Sequence, residues 1–80
     1  MDGEFSVCQF FKGGEYDYEC RNVDMETACR KFIFLTNNVS AKTGMTERVI
    51  ITDRGDMTNM EWVHGKGITY PPELVGRVFK

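Results

Sequence analysis

Proline and histidine are nearly missing from this chain: its 80 residues hold two prolines, adjacent at Pro71-Pro72, and the single His64. No proline or glycine falls between Met25 and Thr43, so nothing in that backbone bars a helix. Cysteine is scarce and odd in number. Cys8, Cys20 and Cys29 show no CxxC spacing, which excludes a paired disulfide framework and fits reduced thiols. With His64 they are the only soft metal ligands, and no two lie within eight positions, so a zinc site is not expected. A Cys–His nucleophilic pair would need an orienting group and oxyanion donors that nothing marks out. No apolar run is long enough to span a membrane, and the start Met1-Asp2-Gly3-Glu4 is too acidic for a secretory leader. The expectation is a cytoplasmic protein without cofactor or metal, and not an enzyme.

Clustered base is missing as well. Net charge is −2, but unevenly spread: residues 1–26 hold seven acids against Lys12 and Arg21, and residues 27–80 hold eight bases against five acids. The acidic first third speaks against direct binding of a phosphate backbone and would suit a basic partner surface.

What is present is pattern. Asp24 is a good N-cap, Glu26 suits the first turn, and Gly44 can take the left-handed C′ position, so one long helix is predicted over 24–44. Met25, Ala28, Cys29, Phe32, Leu35, Thr36, Val39 and Thr43 form its apolar stripe. Arg30, Asn37, Asn38 and Ala41 fall opposite, together with Phe34, a large aromatic that becomes a candidate contact residue.

Two hairpins flank the helix. In the first, over 4–21, a two-residue Gly13-Gly14 loop would set Phe11 opposite Tyr16, Gln9 opposite Tyr18 and Val7 opposite Cys20. Phe5, Val7, Phe11, Tyr16, Tyr18 and Cys20 would then face the helix, leaving Ser6, Cys8, Phe10, Asp17, Glu19 and Arg21 outside. In the second, over 46–63, Arg54-Gly55 makes the turn. Val49, Ile51, Met60 and Trp62 form the core face, and Arg48 pairs across strands with Glu61. Ile68-Thr69-Tyr70 reads as a short fifth strand, ended by the prolines, with a tail to residue 80. The expected fold is one α+β domain of two layers: an antiparallel sheet of two hairpins, β-β-α-β-β plus the short strand, packed on one long helix.

Short motifs add little. Arg54-Gly55-Asp56 is a common turn composition, and Gly65-Lys66-Gly67 lacks the earlier glycine and following hydroxyl of a phosphate loop. In size, acidity, reduced thiols and hairpin-helix-hairpin layout, the whole chain resembles the small phage-encoded inhibitors of bacterial defence, of which anti-CRISPR proteins are the best-known group. The likeness rests on no shared motif and carries over no residue. It implies an inhibitor or adaptor, in the host cytosol, that binds a host protein or nucleic-acid-binding complex. Phe10, Asp17, Glu19 and Phe34 are the partner-binding residues expected from the pattern. A nucleic-acid-binding module using the sheet with Arg30, Lys31, Lys42, Arg48, Arg54 and Lys66, and a homodimer built on sheet edges or the open face, are the alternatives.

Overall fold

A computed structural model describes residues 3–75. Five strands form one antiparallel sheet: β1 (Phe5–Phe11), β2 (Tyr16–Val23), β3 (Thr46–Thr52), β4 (Thr58–Val63) and β5 (Gly67–Tyr70), in the order β2-β1-β3-β4-β5. Helices α1 (Met25–Asn37) and α2 (Val39–Thr43) carry the chain from β2 past β1 to β3. The α+β two-layer fold is therefore the one expected. The core is Val7, Ala28, Phe32, Leu35, Val49, Ile51 and Ile68, with Phe5, Cys20, Val23, Met60, Trp62 and Leu74 packed against it. Leu74, from a 3-10 turn over Pro72–Leu74, packs against the core near β5. The tail from 76 to 80 lies outside the described residues.

The single long helix is a correction. Asp24 caps α1 as predicted, accepting from the Thr27 amide at 2.8 Å. The helix then stops at Asn38, whose backbone is extended (φ −82°, ψ 178°). Two asparagines make this possible. Asn37 Nδ2 donates to the Ile33 carbonyl at 2.8 Å, satisfying the end of α1, and Asn38 Oδ1 accepts from the Ala41 amide at 2.9 Å, capping α2. The break rephases the helix. Val39, expected inside, is 75% exposed, and Ala41, expected outside, is buried. Gly44 ends α2 in the left-handed conformation, as predicted.

The first hairpin is also corrected. Phe11 N–H donates to the Glu15 carbonyl, so the loop has three residues, Lys12-Gly13-Gly14, rather than two. Phe10 thus opposes Tyr16, Gln9 opposes Asp17 and Cys8 opposes Tyr18, each one position off the expected register. A bulge at Glu19 then restores Val7 opposite Cys20. Opposed residues share a face, so Tyr16 and Tyr18 point away from the helices, with Phe10 and Cys8. A polar chain, buried at Gln9 and Thr46, spans this region. The Thr46 hydroxyl donates to Gln9 Oε1 at 3.0 Å, which leaves the Ser40 hydroxyl as donor to Thr46 at 2.9 Å, and Gln9 Nε2 donates to the Glu19 carboxylate at 2.6 Å. Every member is satisfied, and the chain ties α2, β3 and β1 to the bulge.

In the second hairpin Val49 opposes Trp62 and Ile51 opposes Met60. That is two positions from the expected register, which preserves the faces. Val49, Ile51, Met60 and Trp62 do form the core side, and Arg48 does pair with Glu61, diagonally. The turn belongs to Asp53, whose carboxylate accepts from the Gly55 and Met57 amides. These bonds, the Met57 amide above all, hold its pKa below the usual aspartate value.

Candidate functional site

Both helices pack on one side of the sheet, and what stands on the other side follows from the register. β1 contributes Cys8 and Phe10; β2, Tyr16, Tyr18 and Arg21; β3, Arg48 and Ile50; β4, Glu61; and β5, Tyr70. Cys8 and Ile50, opposite each other on the central strands, are nearly buried, and burial raises the Cys8 thiol pKa. Around them the larger side chains make a ridge. Phe10 and Tyr16 rings lie 5.8 Å apart, and Tyr16 meets Tyr18 edge-on at 6.3 Å. The Arg21 guanidinium lies 3.7 Å from the Tyr18 ring centre and that of Arg48 lies 4.8 Å from the Phe10 ring. Glu61 accepts from the Thr69 hydroxyl at 2.6 Å and pairs with Arg48; the first bond and then the pairing hold its carboxyl below the usual glutamate range. Tyr16 is 63% exposed. Aromatic and arginine side chains thus stand together on the side of the sheet opposite the helices.

The four residues expected to make contacts do not converge. Phe10 lies on this face. Asp17 opposes Gln9 and so lies on the helix side of the edge strand. Glu19 is half-buried and committed to Gln9, which gives it a structural task. Phe34 is exposed on the outside of α1, with the Lys31 ammonium 5.9 Å from its ring. Sequence reasoning missed Tyr16, Tyr18 and Arg21 as a group. The clue was the Gly13-Gly14 loop, which permits two loop lengths of opposite parity.

Other features carry less chemistry. A shallow cleft of about 390 Å³ is lined by Lys12, Thr43, Gly44, Glu47, Val63 and His64. His64 Nδ1 lies 2.8 Å from the Ala41 carbonyl, which only accepts, so Nδ1 donates. His64 sits against α2 while Cys8 is on the opposite face, and Cys20 is three strands from β4, so no Cys–His pair forms. Cys29 lines a small apolar groove with Phe32, Ile33 and Met60, and burial raises its pKa. Among the described residues no group of three His, Cys, Asp or Glu side chains is placed to hold a metal, and no helix is long and apolar enough to cross a membrane.

Fold and face together define a two-layer α+β domain with an arginine-flanked aromatic sheet surface. No family model, curated protein or solved structure matches the chain.

Proposed function

We propose that this chain is a small protein-binding domain, an adaptor or inhibitor that docks through the sheet face its helices leave open. The observation that supports this is the row Tyr18–Tyr16–Phe10 with Arg21 and Arg48 laid over its ends. Tyrosine and arginine dominate protein–protein hot spots because they bury large area and still satisfy polar tips. An inhibitor that covers a host complex remains the form of this role to which the likeness in build points. Its contact would be made by the open face rather than by Asp17 and Glu19.

One observation favours a second reading. Aromatics exposed on an open sheet, with arginines beside them, can stack the bases of a single-stranded nucleic acid. Against it stand the acids of β2 and the guanidinia that already cover two of the rings. A gel shift at low salt with single-stranded DNA and RNA separates the two; a retarded band lost in Tyr16→Ala would favour nucleic acid.

The direct test is affinity capture from a lysate with the wild type, Tyr16→Ala, Arg21→Glu and Phe34→Ala, each checked for folding by circular dichroism. The expected result is a protein retained by the wild type and Phe34→Ala and lost from the other two. Equal retention by all four overturns the assignment of the face.

A further inference from the structure

We infer that the docking partner presents an acidic segment, and that Arg21 receives one of its carboxylates. This rests on the open-face reading above and adds the chemistry of the occupant. The Arg21 guanidinium is stacked on Tyr18 at 3.7 Å in an exposed position. A guanidinium stacked on a ring keeps its N–H edge directed outward in its own plane, where it can fork two bonds to a carboxylate. Among the described residues the ion pairs are Glu26–Arg30 and Arg48–Glu61, so no described carboxylate pairs with Arg21.

The charge of the face supports the same occupant. Among the described strand residues of this side, Glu61 is the one carboxylate, and it is taken up by Thr69 and Arg48. At Cys8 the charge of Asp17 acts first, with Arg21 and Arg48 opposing it, and Lys66 acts on Glu61. By register the strand residues of this side are Arg21 and Arg48 against Glu61, two positive charges to one negative, in a chain of net charge −2. Complementarity calls for an anion. The source is a protein side chain rather than a phosphate backbone, because a long polyanion reaching Arg21 would run beside Glu15, Asp17 and Glu19 on the same edge. A short acidic segment that centres on Arg21 and Arg48 meets less of that repulsion than a polyanion running the length of the edge. The partner element is thus one or two Asp or Glu residues next to an apolar or aromatic side chain that packs on Tyr16 and Phe10.

The test is an NMR titration of the whole ¹⁵N-labelled chain with three probes. They are a capped pentapeptide Glu-Asp-Trp-Asp-Glu, its amide twin Gln-Asn-Trp-Asn-Gln, and a single-stranded oligothymidylate. The acidic peptide is expected to shift the amides of Cys8, Phe10 and Tyr18 and the Arg21 Nε–H. It should bind about tenfold more tightly than the twin, the worth of one charge-assisted hydrogen bond. Arg21→Gln should bring it to the level of the twin, and Arg21→Lys, which keeps charge but loses the fork, should recover only part. Equal binding of both peptides at these residues overturns the carboxylate assignment and leaves the docking face standing. Absence of any shift on this face overturns the inference. Oligothymidylate binding the same residues more tightly than the acidic peptide overturns it together with the protein-partner reading.

Discussion

Gly44 shows how narrowly single positions are set. Its φ of 86° is left-handed, and a Cβ there would sit 3.2 Å from His64 Nε2. Gly44→Ala should therefore cost about 1–2 kcal/mol for the backbone alone, read as a lowered urea midpoint with unchanged slope. Glu61 sets a pH dependence. Its folded pKa lies below the usual 4.5, first because of the Thr69 hydroxyl and then because of Arg48. The ionised form is thus favoured in the fold. Its contribution is complete above the usual value and is lost as pH falls through the lowered one. Thermal melts of Glu61→Gln should consequently show a shallower loss of midpoint than the wild type on acidification below about pH 4.5. Cys8 is 2% exposed, and burial keeps its thiol protonated at neutral pH. Thiol titration of the folded protein should leave Cys8 unmodified, and unfolding should release all three cysteines.

At the scale of elements, the helix break and the strand bulge decide which residues are inside. Asn38→Ala removes the cap of α2 and should destabilise by about 1 kcal/mol, measured by urea denaturation. Deleting Glu19 removes the extra bulge residue. Either Tyr16 and Tyr18 must turn inward or Cys20 and Val23 outward, so a large loss of stability is expected. An unchanged midpoint would show that the bulge does not hold the register. These two features also mark the limit of what could be read in advance. Asp24, Gly44 and the core faces of β3 and β4 were legible because they depend on local capping and on period-two alternation, which survives a two-position slip. The bulge was not legible. It depends on Gln9, Thr46 and Ser40 reaching across three strands and a helix to Glu19, contacts no short window contains. With it went the candidate site: one wrong parity placed Tyr16 and Tyr18 in the core and left Asp17 and Glu19 as the apparent surface. The helix break was half legible, since paired asparagines compete with a helix through their own side chains.

For the whole molecule, the sheet has two edges and both are guarded. β2 is bulged at Glu19 and again near Asn22, which has a positive φ of 55°, while β5 is four residues long and is followed by Pro71. Such edges resist pairing with another chain. The chain should therefore run as a monomer of 9.2 kDa in light scattering, and a stable dimer paired edge to edge would contradict this reading of the edges. The proposed docking face is the side of the sheet away from the helices. The most direct measurement is cross-saturation NMR on the labelled chain bound to its captured partner. The account predicts that saturation passes to Phe10, Tyr16, Tyr18, Arg21 and Arg48 and leaves Arg30 and Phe34 untouched; a footprint centred on the outer surface of α1 would contradict it.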